Sequence, residues 1–120
     1  MSGKPDKVIG PEGKQARMFI KKFEGGRQSS RLEIDAGFNW RESIKPHLPG
    51  CPDWCPATHF GYLESGIMKV EMKDGSIITI NAGESYFVPP GHIPIIEKDA
   101  VMIEFSQDTT YTNKEFINKN

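Results

Sequence analysis

The sequence predicts an all-β fold, either a sandwich or a barrel, and three observations support this class. Short segments alternate apolar and polar residues with a period of two, which is typical of strands with one buried face. Glycine and proline turn signals separate these segments at short intervals. No amphipathic helix of useful length interrupts them. The chain has 120 residues, so we expect one domain that buries its own core.

The first elements along the chain are a polar arm and two strands. Residues 1–15 are polar and rich in glycine, proline and lysine, so we expect a flexible N-terminal arm. The barrel is expected over residues 16–110, and a C-terminal tail over residues 111–120. Residues 17–23 (RMFIKKF) predict the first strand. Residues 30–37 (SRLEIDAG) predict the second, because their apolar side chains recur at every second position.

The middle of the chain predicts a proline-rich loop. Proline lacks the backbone N–H and clashes with the preceding turn of a helix, so a helix is excluded where prolines recur this closely. The prolines concerned are Pro46, Pro49, Pro52 and Pro56. His47, Cys51, Cys55 and His59 are spaced four residues apart across this loop, and their spacing therefore does not place them on one helical face.

Further strands follow the loop. Residues 59–65 predict a strand, in which parity places Gly61 and Leu63 on the face of His59, and Phe60, Tyr62 and Glu64 on the other face. Asp74-Gly75 predicts a hairpin turn because glycine accepts a positive φ at no steric cost. Residues 84–88 predict another strand, ended by Pro89-Pro90. The segments IPIIEKD and AVMIEFS predict a last hairpin around Lys98-Asp99. In the tail, Thr112 and Glu115 fit a capping box and predict a short C-terminal helical turn.

Charge and hydropathy restrict the partners of the protein. The net charge is -1, the sequence pI is about 6.3, and no block of like charge stands out, so neither nucleic acid nor an anionic membrane is an expected partner. No apolar run approaches the roughly 20 residues that span a bilayer. The first residues lack the apolar segment of a secretory signal. We therefore expect a cytoplasmic protein with no membrane partner.

The two cysteines do not form a disulfide framework. Cys51 and Cys55 are spaced C-x-x-x-C among prolines, which is not the C-x-x-C spacing of redox motifs. In a reducing compartment both stay as thiols, available for packing or for a metal. A bridge between the two is the alternative that the sequence leaves open.

Two stretches resemble the motifs of the cupin superfamily. The segment GYLESGIMKVEMKDGSIITINAGESYFVPPGH carries glycines and a proline at the offsets of both cupin motifs. Gly66 matches the end of the first motif, and Gly83, Pro89 and Gly91 match the second. The resemblance implies a cupin-like jelly-roll β-barrel.

The metal-ligand positions of that family carry different residues in this chain. Counting back from Gly66, the usual glutamate position holds His59, and the two usual histidine positions hold Asp53 and Cys55. In the second motif the usual histidine position holds Pro94, while His92 follows the turn glycine directly. The metal chemistry of the family therefore does not transfer position by position.

Strand parity nevertheless predicts a metal site built from other residues. Side chains two apart share a face of a strand, so His92 is expected to point into the barrel like residue 94. Cys55, His59 and His92 are predicted to converge on a divalent Zn or Fe ion, with Asp53 or a water as a fourth group. The further pocket candidates are Asp53, Trp54 and Tyr86.

Structural roles are the alternatives for each of these residues. Cys55 is otherwise a small buried hydrophobe, and His59 a core histidine with satisfied hydrogen bonds. His92 is otherwise a residue that holds its turn by bonding the backbone. Asp53 is otherwise a turn residue that accepts backbone N–H groups.

Two functions follow from these predictions. The first is a small metal-binding cupin that binds or acts on a small molecule inside the barrel, with the reaction and even catalysis left open. The alternative is a metal-free, degenerate cupin that serves as a small-ligand binding module or a dimeric interaction module. Fold alone does not choose between them, because one barrel carries many chemistries. We expect a homodimer in either case, and residues 17–23 are a candidate segment for exchange between subunits.

Overall fold

The computed structural model describes residues 3–39 and 58–107 of the chain. These residues form nine β-strands and one short 3₁₀ turn at Glu24–Gly26. The strands are β1 (Lys7–Ile9), β2 (Ala16–Lys22), β3 (Arg27–Ile34), β4 (His59–Ser65), β5 (Ile67–Met72), β6 (Ile77–Asn81), β7 (Ser85–Val88), β8 (His92–Ile96) and β9 (Ala100–Gln107). The all-β prediction is confirmed.

The strands form two antiparallel sheets. The larger sheet has six strands in the order β1-β2-β3-β9-β4-β7, and the smaller has three in the order β6-β5-β8. Strands distant in sequence are neighbours in the larger sheet, where β9 lies between β3 and β4. This arrangement matches the cupin-like jelly roll that the resemblance implies.

The core lies between the sheets, because each strand turns alternate side chains inward. In β4, Gly61 and Leu63 are buried while Phe60, Tyr62 and Glu64 are exposed, as parity predicts. Strand β7 shows the same alternation of exposed and buried side chains over its four residues. Burying an aliphatic side chain contributes about 1.5–3 kcal/mol, so this alternation supplies the main stabilisation of the fold. The most deeply buried side chains are Leu63, Val70, Val88, His92, Ile93, Ile96 and Met102.

The hairpin predicted at Asp74-Gly75 is confirmed. It joins β5 to β6, and Gly75 has a φ of 90°. The Asp74 carboxylate accepts hydrogen bonds from the backbone N–H of Ser76 at 2.9 Å and from its hydroxyl at 2.6 Å. The aspartate therefore closes the turn while the glycine provides the backbone conformation.

The hairpin predicted around Lys98-Asp99 is wrong. Strand β8 pairs with β5 in the smaller sheet, whereas β9 pairs with β3 and β4 in the larger one. The turn therefore carries the chain from one sheet to the other. Asp99 ties this crossing to the end of β3, because its carboxylate accepts the backbone N–H of Ala36 at 2.8 Å.

The predictions for the N-terminal arm, the proline-rich loop and the C-terminal tail have different outcomes. Strand β1 pairs with β2 and lies inside residues 1–15, a pairing that the sequence did not predict. The proline-rich loop with Cys51 and Cys55 lies outside the described residues, and so does the C-terminal helical turn. No helix in the described ranges is long and apolar enough to cross a membrane.

Candidate functional site

A cavity of about 190 Å³ lies between the two sheets. Eleven of its lining side chains are apolar, and three are polar. The apolar residues are Ile9, Ala16, Met18, Leu32, Ile34, Phe38, Met68, Val70, Val88, Pro94 and Met102; the polar ones are His59, His92 and Glu104. None of the described lining residues is a lysine or an arginine. A mostly apolar cavity with a few polar groups is typical of a small-molecule site.

The larger sheet supplies a hydrogen-bonded chain of three polar side chains. Nδ1 of His59 lies 2.7 Å from Oε1 of Glu104, and the hydroxyl of Tyr86 donates to Oε2 of the same carboxylate at 2.7 Å. Because the carboxylate accepts hydrogen bonds, Nδ1 of His59 is the donor. Glu104 therefore orients the imidazole of His59, and Tyr86 in turn holds Glu104.

Gly61 makes this chain of contacts sterically feasible. It pairs with Tyr86 on one side and with Glu104 on the other, so the three residues form one row across β7, β4 and β9. A Cβ at position 61 would overlap the carbonyl oxygen of Ile103 and approach Cα of Glu104 to 2.9 Å. The absent side chain therefore allows β4 and β9 to approach closely and leaves room above the row for Tyr86 to reach Glu104.

His92 enters the cavity from the smaller sheet. It begins β8 directly after Gly91, whose φ is 87°, and it is 1% exposed. Nδ1 lies 2.6 Å from the carbonyl oxygen of Pro89. A carbonyl only accepts, so Nδ1 carries the proton, and in the neutral ring Nε2 presents a lone pair. Within the described part of the chain, this buried Nε2 has no hydrogen-bond partner.

The two histidines meet although they come from different sheets. Their ring centroids are 4.9 Å apart and the rings are nearly perpendicular, at 73°. Each Nδ1 is held by an oxygen atom, a carboxylate for His59 and a carbonyl for His92. Histidines that bind metals almost always have their second nitrogen held in this way. The two imidazoles are therefore oriented as donor groups, and they are two of the three metal ligands that the sequence predicts.

The phenol of Tyr86 keeps its proton at this site. Burial, together with the charge of Glu104 and the hydrogen bond to it, raises the pKa of Tyr86 far above its ordinary value of 10.0. The hydroxyl therefore remains a donor to Glu104 across the physiological range. Its role here is to position the carboxylate.

Only some of the residues predicted from the sequence lie in the described part of the chain. His59 and His92 line the cavity with their rings in contact, whereas Tyr86 is not among the described lining residues and is joined to His59 through Glu104. Cys55, Asp53 and Trp54 lie outside the described residues. The contact of His92 with Pro89 also matches the structural alternative, in which this histidine holds its own turn.

Glu104 is the site residue that the sequence analysis missed. It shares the parity of the buried Met102 on β9, so the alternation of this strand places a carboxylate on an inward position. An acidic residue with inward parity is a signal for function, because an ionised carboxylate is rarely buried without a partner. Within residues 3–39 and 58–107, no three histidine, cysteine, aspartate or glutamate side chains are arranged to hold a metal ion.

Comparison with known proteins identifies the fold. A cupin-like protein from Thermotoga maritima superimposes with a TM-score of 0.61 at 10% identity, over 92% of this chain and 82% of that chain. An RmlC-like cupin from Shewanella frigidimarina gives a TM-score of 0.52 at 21% identity, over 83% of this chain and 82% of that chain. Ectoine synthase from P. lautus gives 0.57 at 13% identity, over 82% of this chain and 67% of that chain.

These similarities concern the fold, since all three identities are low. No protein-family model matches this sequence, and no curated protein matches it. The matching structures have the fold that the resemblance implies. The chain therefore has the cupin fold.

Proposed function

We propose that this chain binds a small molecule in the cavity between its sheets, next to a divalent Zn or Fe ion held by His59, His92 and Cys55. The observation that carries the proposal is the buried Nε2 of His92, whose lone pair has no partner among the described residues. An unsatisfied buried polar atom costs about 1–3 kcal/mol, so such an atom calls for an explanation. A bound metal satisfies it.

The surroundings of the two histidines support a metal. Glu104 and the carbonyl of Pro89 hold the two Nδ1 atoms, so we assign the coordinating role to Nε2 of each ring. Cys55 is the third ligand that the sequence predicts, and a thiolate with two imidazoles suits Zn²⁺ or Fe²⁺. When bound, the metal polarises an oxygen or nitrogen of the small molecule.

The cavity limits the class of small molecule. An apolar cavity of roughly 150 Å³ holds benzene, so about 190 Å³ fits a single substituted ring or a short branched chain. None of the described lining residues is a lysine or an arginine, and Glu104 lies beside the histidines, so among these residues an anionic group finds no counter-charge other than the bound metal. We propose a largely apolar ligand with one polar group, neutral unless it binds the metal, directed toward the histidines.

Metal content tests the first part of this proposal. Untagged protein from medium supplemented with zinc and iron should contain one of these metals, and the stripped protein should bind Zn²⁺ in a calorimetric titration. His92→Gln should weaken Zn²⁺ binding more than the 10–100-fold typical of a lost outer-shell partner. Cys55→Ser should also weaken it, whereas Cys51→Ala serves as the matched control. Equal affinity in all three variants would contradict the proposed ligand set.

A metal-free binding module is the second candidate. It is favoured by the absence of a three-residue metal-binding group within residues 3–39 and 58–107. In this case Nε2 of His92 accepts a hydrogen bond directly from the ligand. Phenol, toluene and benzoate separate the two candidates when their binding to chelator-treated and zinc-loaded protein is compared by NMR. Phenol binding that persists without metal supports the second candidate, and benzoate binding as tight as that of phenol in the chelator-treated protein contradicts the proposed ligand class.

A further inference from the structure

An open groove of about 390 Å³ lies at the end of the larger sheet where β3 begins and β9 ends, and it is here called the aromatic groove. Its described lining residues are Phe23, Arg27, Gln28, Phe60, Phe105 and Ser106. None of these residues lines the cavity between the sheets, so the proposed function leaves the groove unexplained. Its volume falls within the range of about 300–1,000 Å³ that is typical of small-molecule sites.

Three phenylalanine rings supply the apolar surface of the groove. Phe23, Phe60 and Phe105 are 50%, 59% and 53% exposed, although phenylalanine is more often buried. The pairing of Gly61 with Glu104 makes Phe60 on β4 and Phe105 on β9 neighbours across the strands. Phe23 lies directly before the 3₁₀ turn that joins β2 to β3. Exposed aromatic rings offer their faces and edges to another planar ring.

Arg27 supplies a positive charge that the described part of the chain does not neutralise. The other two arginines of this part, Arg17 and Arg31, bind carboxylates at 2.8 Å and 2.7 Å. Arg27 forms no ion pair with a described residue, and its Nη1 donates to the backbone carbonyl of Glu24 at 3.3 Å. A guanidinium carries five N–H donors, so one such bond leaves most of them available to an anion.

Gly25 allows this guanidinium to lie across the turn. Gly25 has a φ of 79°, and a Cβ at this position would come within 2.5 Å of Nη1 of Arg27. A side chain at position 25 would therefore displace the guanidinium, which the carbonyl of Glu24 holds in place. An arginine that is already positioned loses less side-chain entropy when it binds an anion.

The remaining polar groups of the groove are also compatible with an anion. Gln28 and Ser106 pair across β3 and β9, next to the pair of Arg27 with Gln107, and their side chains carry N–H and O–H donors. The ammonium of Lys21 lies 5.4 Å from the ring centroid of Phe23 and adds a second positive charge nearby. None of the described lining residues is an aspartate or a glutamate, so none of them repels a negative charge.

We infer that the aromatic groove binds a small aromatic anion, whose planar ring system lies against the phenylalanine rings and whose carboxylate or phosphate group binds Arg27. A cavity of roughly 150 Å³ holds benzene, so about 390 Å³ fits two fused rings. The inference goes beyond the proposed function and does not depend on it, because the groove and the cavity share none of their described lining residues.

Two probes of similar size test the inference on the unmodified full chain. Naphthoate carries a carboxylate, and naphthylmethanol is its neutral counterpart. In NMR titrations of protein labelled at phenylalanine, naphthoate should shift the ring signals of Phe23, Phe60 and Phe105 and leave those of the buried Phe38 unchanged. We expect naphthoate to bind roughly tenfold more tightly than naphthylmethanol, because only the carboxylate accepts charge-assisted hydrogen bonds from the guanidinium.

Substitutions assign the preference for the anion to one residue. Arg27→Gln should give both probes the same affinity. The matched control is Arg31→Gln, which removes the same charge from the same sheet at a position outside the groove and should keep the preference. Phe105→Leu should weaken the binding of both probes by roughly threefold, because a ring contact is lost. Circular dichroism verifies that the variants are folded.

The comparison of the two probes does not depend on the folding of any variant. Absence of saturable naphthoate binding at millimolar concentration, equal affinity of the unmodified protein for both probes, or shifts centred on Phe38 would each overturn the inference. A preference that survives in Arg27→Gln, or that is lost equally in Arg31→Gln, would do the same.

Discussion

The hydroxyl of Tyr86 on β7 donates to the carboxylate of Glu104 on β9 at 2.7 Å, across the full width of the intervening strand β4. The contact passes over Gly61, which pairs with both residues. The other oxygen of the same carboxylate holds His59. One glycine, one phenol and one carboxylate therefore determine the orientation of an imidazole at the polar end of the cavity.

Removing the phenol should destabilise the protein measurably. Tyr86→Phe leaves one oxygen of the mostly buried Glu104 carboxylate without its donor, and we expect a loss of about 1.5–3 kcal/mol in the free energy of unfolding. Urea denaturation measures it. The matched control is Tyr62→Phe, since Tyr62 is 43% exposed on the outer face, where a lost hydroxyl costs roughly 0.5 kcal/mol or less. Equal losses in both variants would contradict the role of Tyr86.

A methyl group at position 61 should disrupt the row. Gly61→Ala forces a Cβ against the backbone of Ile103 and Glu104, so we expect a loss of about 3 kcal/mol or more, together with a shift of the imidazole NMR signals of His59. Gly75→Ala is the control, because a Cβ there meets no atom and only the positive φ is strained. The prediction fails if Gly61→Ala is the milder of the two.

The stability of the fold should fall in acid partly through Asp35. The Arg17 guanidinium, followed by the backbone N–H of Gln15, holds the pKa of Asp35 below its ordinary value of 3.8. The pKa of Asp35 is lower in the folded state than in the unfolded state. Its contribution to the free energy of unfolding is therefore fully present above the unfolded-state pKa near 3.8, and it is lost as the pH falls through the folded-state pKa. Unfolding measured at a series of pH values should therefore show a smaller acid loss for Asp35→Asn. Parallel curves for variant and parent would refute this assignment.

Two isoleucines of one strand should differ sharply in their contribution to stability. Ile80 on β6 is 5% exposed and belongs to the core, whereas Ile77 on the same strand is 53% exposed. We expect Ile80→Ala to cost about 2–5 kcal/mol, because it removes transfer free energy and leaves a cavity. Ile77→Ala should cost less than about 1 kcal/mol, since its side chain is half in water already. Thermal and urea unfolding measure both losses. Comparable losses in the two variants would mean that the buried face of β6 is not the one that carries Ile80.

The sequence by itself determined the strand faces and most of the turns. Alternation depends only on the period of the backbone, so it assigned Leu63 inward and Phe60 outward. Asp74-Gly75 determines its own turn, because the required φ and the closing hydrogen bonds are local. The glycines and Pro89 carried the cupin resemblance for the same reason: they describe turns.

Only the tertiary structure decided which strands are neighbours. The turn at Lys98-Asp99 has the residues of a hairpin, yet β8 and β9 enter different sheets, because pairing depends on how the inner faces of the two sheets bury each other. The row from Tyr86 to Glu104 follows from that order and joins residues eighteen apart in sequence. The meeting of His59 and His92, from opposite sheets, likewise depends on how the sheets pack, since parity assigns a face to each residue but no distance between residues on different strands.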